Sequence, residues 1–421
     1  MKKNKLALRI LNPLRAARVK FRNFAFSFIC NRLNGHVSYP FFMELFLPNN
    51  SIFNKKTTLF PLKTKRNSFL IEKSFQGNLL PTYSLNIYPV KEGSTLRGDI
   101  GFLFVAPRFL GVSPNLDMMI VERALKESGF VTDWQELGSC PDENLKKSKN
   151  KVQELLDLGV KRIIVLVDIL AAPEVSEFYR SIDNLCKDLK TLFDLNVVAL
   201  VGDIWRDKDS DGIKRAIKFV DLFVHNDLRA AAWYPQLIRE VMAFFPYAGL
   251  ASNLFSPSIL KDGKLHFSGQ IRDADRRVWL RRTLAYAKSV DLDLKFNVWS
   301  TTSQSSYRPL SQYATELNAA SACLSLSRRG LDHWILTARA HQAIRSECLI
   351  LQEVNETFDP WNNILIPFEH YIPFHNQQTL RSAIVFMRTN PELSSQMAAK
   401  ARQQYSSLFT VHKFVQLLAN K

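Results

Sequence analysis

From Ile100 to the end of the chain, short apolar runs alternate with helix-length periodic segments. This alternation constrains the fold more than any other feature, because repeated strand–helix–strand units close into a parallel sheet with helices on both faces. The runs Ile100–Ala106, Arg162–Val167, Val197–Val201 and Leu222–Val224 read as strands. Asn115–Ser128, Asn144–Leu158, Glu174–Phe193 and Asp211–Phe219 read as helices between them. Met242–Phe245 and the turn-rich Pro246–Pro257 read as an interdomain linker. A second series then opens at Leu265–Gly269. It continues with helix Asp275–Ser289, strand Leu294–Trp299, helix Leu310–Ala319 and strand Ala322–Leu326. The expected fold is α/β, two Rossmann-like doubly wound domains behind a basic extension. The boundaries fall at residues 1–97, 98–250 and 251–421.

The densest chemistry follows the last of these strands. Arg328-Arg329-Gly330 forms a turn, a helix-length segment carrying Arg339 comes next, and the buried run Cys348–Leu351 has Glu353 just past its end. In an open parallel sheet ligands bind beyond the carboxyl ends of the strands, where helix N-termini offer N–H groups to phosphate. Paired arginines add bidentate, charge-assisted contacts. Asp332 and His333 follow the turn directly; Asp332 suits a helix cap, and His333 a contact to developing charge. His225 ends a strand of the first series and is expected to face the cleft, as a candidate base. Helix Gln378–Thr389 and a last helix from Pro391 to about Tyr405 complete the reading.

Charge divides the chain unevenly. Of the formal +17, residues 1–100 contribute 17 Lys/Arg against four acids, a surplus of 13. Lys2 to Arg22 interleave with Leu, Ile, Val and Phe around Pro13, a pattern suited to an interfacial helix pair on anionic lipid or to a solvated basic leader. The rival reading is a binding protein that holds nucleic acid or membrane through this quarter. Against nucleic acid stands the absence of a recognisable motif and of a basic stripe continuing over the later domains. Phe24–Cys30 is too short for a membrane span, and no cleavage-site pattern follows it. Five scattered cysteines without a CxxC pair argue against a disulfide framework or zinc site and for a reducing, cytoplasmic setting. P-loop, nucleophile-elbow, zinc-protease and dinucleotide fingerprints are absent. Asp207–Gly212 begins like a calcium loop, but Lys218 stands where the twelfth-position Glu is required.

Several pieces in order resemble the C-terminal half of two-domain (GT-B) glycosyltransferases, especially the CgeB-like and group-1-like kind. These are Phe244-Phe245-Pro246-Tyr247-Ala248-Gly249, Phe255-Ser256-Pro257, Phe267-Ser268-Gly269 with Arg276-Arg277-Val278-Trp279-Leu280, and Thr337-Ala338-Arg339-Ala340-His341-Gln342-Ala343. His370-Tyr371-Ile372-Pro373-Phe374, Pro391-Glu392-Leu393 and Met397-Ala398 close the series. The resemblance spans roughly residues 240–410. It implies a nucleotide-sugar donor in the second domain, a glycan or lipid-linked acceptor against the first, and no cofactor or metal. It implies Gly269 as a close-approach glycine, Arg276 or Arg272 as the cation against the diphosphate, and Gln404–Leu418 packing back on the first domain. One departure stands out: Gln342 occupies the position of the family's donor-binding Glu. An amide can hydrogen-bond a hydroxyl but brings no charge. Either the contact is neutral, or Asp332 and Glu353 share it, or the chain is an inactive relative serving as a scaffold.

Overall fold

The structure is a computed structural model and describes residues 98–421, except 108–115, 139, 170–176, 202–210, 227–240, 271–273, 300–308, 329–334, 355–359, 362–363 and 420–421. The basic extension, Arg272, Arg329, Gly330, Asp332, His333 and the loop from Asp207 to Ser210 therefore lie outside the described residues.

Two parallel sheets carry the fold. The first has six strands: β1 (Ile100–Pro107), β2 (Val131–Leu137), β3 (Arg162–Ile169), β4 (Leu195–Val201), β5 (Leu222–His225) and β6 (Met242–Phe244), in the order β2-β1-β3-β4-β5-β6. Helices α1 (Leu116–Glu127), α2 (Pro141–Asp157), α3 (Glu177–Leu192) and α4 (Asp211–Ala216) connect them. Side-chain alternation along β1 and β3 sorts the core into two faces. Phe102, Phe104, Ile164 and Leu166 pack with α1, whereas Leu103, Val105, Val165 and Val167 pack with α2 and α3.

The second sheet has five strands: β7 (Leu265–Gln270), β8 (Leu294–Trp299), β9 (Ala322–Ser325), β10 (Leu349–Glu353) and β11 (Tyr371–Phe374), in the order β11-β10-β9-β7-β8. Every pairing in both sheets is parallel. Helices α5 (Ala274–Ser289) and α8 (Gln377–Thr389) cover one face; α6 (Leu310–Ala319) and α7 (Ala338–Arg345) cover the other. Strand order reverses between β1 and β3 in the first domain and between β7 and β9 in the second. This is the doubly wound plan expected from the alternation.

Four expectations need correction. Met242–Phe244 is the edge strand of the first sheet, paired to β5 from Phe223↔Met242 to His225↔Phe244, and not linker. Strand β2 went unread because Thr132, Asp133, Gln135 and Glu136 break its apolar run; as an edge strand it is only partly buried. Glu353 is the last residue of β10 and lies within the sheet. The final helical segment is two helices, α9 (Pro391–Leu408) and α10 (Val411–Ala419), broken at Phe409 (φ −120°).

The domains share a core. Phe245 at the end of the first sheet packs on Phe414 of α10 at 5.1 Å and on Phe409 at 5.6 Å. Arg162 at the start of β3 donates to the Ala419 carbonyl. Between the domains a single 3-10 turn, Tyr247–Gly249, is fully buried. Arg345, 4% exposed, donates to the Gly249 carbonyl (2.5 Å) and the Ser406 hydroxyl (2.7 Å) while stacking on Tyr405 (4.9 Å). Gly249 is required here. A Cβ would meet the Tyr405 hydroxyl and come within 2.7 Å of the His341 Cβ.

Candidate donor site at the strand-order reversal of the second sheet

The carboxyl ends of β7 and β9 flank the reversal point, where an open sheet leaves a crevice. Gly269, next to last in β7, has Arg339 directly above it. A Cβ at Gly269 would lie 3.1 Å from the Arg339 Cζ and 3.0 Å from Phe267. The glycine thus lets a guanidinium lie on the strand end. Arg339 is the second residue of α7, and Phe267, Cys323, Ser325, Leu326 and Thr337 complete the recess around it. Thr337, the N-cap, has extended backbone (φ −85°, ψ 150°) and makes no side-chain cap. The first amides of α7 therefore sit beside the guanidinium, a combination suited to phosphate.

This relocates the helix start. The segment after Arg328 was expected to be helical from the Arg-Arg-Gly turn onward. Instead Ile335–Thr337 carries no helical turn, and Ile335 N–H donates back to the Ser327 carbonyl (3.0 Å). The helix N-terminus that meets the strand ends is at Thr337–Arg339.

Arg276 and Arg328 approach the same edge. Arg276 lies in the first turn of α5, 3% exposed. That is unlike the solvated face that a basic helix start suggests. Arg328 is half-buried, its Nε 3.5 Å from the Asp275 carboxylate. Glu353 is 2% exposed and accepts from the amides of Ser327 (3.0 Å) and Arg328 (3.1 Å). Burial pushes its carboxyl up, while those amides and the Trp279 indole pull it down. Its two amide bonds hold the β9 exit loop. Beside it Gln352 donates to the Ser327 hydroxyl (2.7 Å) and accepts from the Trp361 indole (3.2 Å).

Gln342 and His225 are both buried. Gln342 is 4% exposed and its Oε1 accepts from the Tyr313 hydroxyl at 2.9 Å, so the amide oxygen is occupied inside the domain. His225 is 4% exposed at the end of β5 and close enough to His341 to disfavour its protonation. Its side chain is packed in the joint between domains, which corrects the expectation that it faces an open cleft. The reason is Asn226: its Oδ1 accepts from the Ala248 amide, folding the linker over the strand end.

Sequence reading missed His341, noted only as a neighbour of Gln342. Wholly buried, its Nε2 lies 3.2 Å from the Asn226 carbonyl and its Nδ1 2.9 Å from the Tyr405 hydroxyl. Nε2 donates and Nδ1 accepts, so the neutral ring satisfies both partners. Burial lowers its pKa to about 3. Tyr405 and Asn226 are 64 and 115 residues away, and no local pattern could have joined them. Cys323, in the recess wall, is held protonated, its pKa raised to about 12 by burial despite Arg339. It is no nucleophile at neutral pH. Among the described residues no cluster of three His, Cys, Asp or Glu side chains forms a metal site, and no helix is long and apolar enough to cross a membrane.

Residues 276–420, covering most of the second domain, match the family model described as "Glycosyl transferase-like". No curated protein sequence matches the chain. Among solved structures, TarM superposes with a TM-score of 0.40 at 10% identity over 61% of this chain. The chain spans about half of TarM, 54% of its length. An alpha-glucosyltransferase in complex with UDP and a 13-mer DNA containing an HMU base gives 0.47 at 9% identity, covering 76% of this chain and 99% of the other. The Glycosylation Associate Protein (Gap123) complex from Streptococcus agalactiae gives 0.41 at 11% identity, covering 65% and 57%.

Proposed function

We propose, from a second domain whose residues 276–420 match the family model described as "Glycosyl transferase-like", that this chain moves a sugar from a nucleotide-sugar donor to a glycan or lipid-linked acceptor. The observation that carries the donor assignment is the contact of Arg339 with Gly269, at the start of a helix and the end of the central strands. The donor's diphosphate would lie there, contacted by Arg339 and the first amides of α7, with Arg276 and Arg328 adding positive field. In glycosyl transfer the leaving nucleoside diphosphate gains negative charge as the sugar–oxygen bond breaks. Fixed cations and oriented amides that meet this charge lower the barrier without reorganising. The reading is of metal-independent transfer in surface-polysaccharide assembly at the cytoplasmic face of a membrane. Residues 1–35 would dock on anionic lipid and the first domain would present the acceptor.

Asp332 and His333 remain candidates for contact with the reacting centre in this reading. His225 would act only through the joint it is packed into, as a positioning residue. The neutral, already bonded Gln342 favours a second reading, in which the chain has lost catalysis and serves as a scaffold.

Thermal unfolding against UDP-, GDP-, ADP- and CMP-sugars separates the two. Ligand at about 100 times its Kd adds roughly 2.7 kcal/mol to the native state. One nucleotide class is expected to raise the midpoint of the wild type and to leave Arg339→Ala unmoved. No shift in well-folded wild-type protein with any of the four would overturn the donor assignment.

A further inference from the structure

Residues 101–421 carry a surplus of only four positive charges once the 13 of residues 1–100 are taken from the total of 17. Helix α5 holds five basic residues and one acid, and α8 two basic residues and none, a surplus of six. One pair of helices thus accounts for more than the whole excess of the folded part. The two pack side by side on the outer face of the second sheet, away from the first domain. Trp279, Leu280 and Ala287 of α5, with Leu380, Ala383 and Ile384 of α8, form their inner stripes. The other faces present Arg277, Arg281 and Lys288 on α5 and Arg381 and Arg388 on α8. Between them Arg282 stacks over Trp279 at 5.1 Å, close to Tyr286. Arg381 lies near enough to act on the same tyrosine.

Two acids among the described residues mark the ends of this face. Asp275 is engaged by Arg328 at the top, and Asp293 by Lys264 at the bottom, where the carbonyl of Asp291 accepts from Arg388. Both helices begin at the carboxyl edge of the sheet, α5 four residues after the end of β7. The 16 residues of α5 run about 24 Å from that edge at 1.5 Å per residue.

We propose that α5 and α8 form a docking face for a linear acidic glycan, laid along the helices with one end toward the donor recess and distinct from the acceptor end that the first domain would present. This rests on the transferase reading above. With buried Arg276 set aside, five of the six remaining cations are guanidinium groups, which bind carboxylate and phosphate oxygens bidentately and repeat along the helices. Neither helix carries an exposed large apolar side chain, so the face lacks the anchors of an interfacial membrane helix. Its aromatic residues are buried or half-buried, so it offers no stacking platform for single-stranded nucleic acid. Residues 1–97 share its sign and cannot complement it.

The test uses the full chain and three labelled probes: an oligogalacturonate, single-stranded poly(dT), and vesicles with phosphatidylglycerol in phosphatidylcholine. A Lys288→Gln/Arg381→Gln/Arg388→Gln variant is compared with a Lys146→Gln/Lys149→Gln control that changes charge on α2. Oligogalacturonate is expected to bind the wild type and the control, and to bind the triple variant about ten-fold more weakly, with a shallower salt dependence. The nucleotide-induced midpoint shift is expected to stay unchanged in the triple variant. No oligogalacturonate binding, equal loss in the control, or tighter binding of poly(dT) or vesicles through the same residues would overturn the proposal. The nucleotide panel keeps the two readings apart: a nucleotide shift without glycan binding sinks this face alone. Glycan binding lost in the triple variant, without any nucleotide shift, leaves a polyanion-binding face on a chain that is no transferase.

Discussion

A single missing side chain organises the candidate site. Because Gly269 has no Cβ, the guanidinium of Arg339 rests on the strand end, 3.1 Å from where that Cβ would stand. Gly269→Ala should push a flexible arginine aside at little cost to folding, on the order of 1 kcal/mol for an added methyl against a yielding neighbour. The expected outcome is a nucleotide-induced midpoint shift cut by more than half while the unliganded midpoint barely moves. A full-sized shift in Gly269→Ala would show that this contact does not carry donor binding. The glycine was legible in the sequence, after an apolar run that opens a domain. That Arg339, 70 positions later, fills the space above it was not. Neither was the burial of Gln342 against Tyr313, because the two meet only when α6 and α7 pack.

At the scale of elements, α7 does two tasks with its two ends. Its N-terminus faces the recess, and its buried His341 and Arg345 tie the second domain to the 3-10 turn and α9. The imidazole makes this joint sensitive to acid. Folded, His341 has its pKa lowered to about 3, whereas an unfolded histidine titrates near ~6.5. Between those values the unfolded chain binds more protons, so stability rises with pH across that window. The contribution is full above about pH 6.5 and is lost progressively as the pH falls toward 3. A thermal midpoint followed from pH 8 to 4 should fall, and His341→Gln should fall less steeply over the same range. Identical slopes would mean that other groups govern the acid limb.

For the whole molecule, the decisive feature is one hydrophobic core shared by both sheets. It runs from Phe102 and Phe104 through Tyr247 and Ala248 to Trp361, Tyr405 and Phe414. Helix α10 belongs to the end of the chain but completes the first domain, so the two domains are expected to unfold in one transition. Phe414→Ala, at a wholly buried position against Phe245, should cost about 3–5 kcal/mol. Calorimetry should show the single peak moving down intact. A split into two peaks, with only the first domain affected, would refute the shared core. Phe245–Phe414 is the ring contact between the chain's last helix and the residue that follows the first sheet's edge strand.

The amino-acid sequence by itself determined the alternation of strands and helices, and with it two parallel doubly wound sheets. Burial on both faces of such strands demands continuous apolar runs that can be read locally. It also placed glycine and arginine where strands end. Tertiary structure alone decided that the helix facing the recess is capped at Thr337 and that Glu353 holds the loop between. It also sealed His225 into a joint and lined up the cations of α5 and α8 on one face. Each of these depends on which residues meet across 25 to more than 100 positions of chain. Local propensity carries no record of such meetings, because they are set by packing between elements.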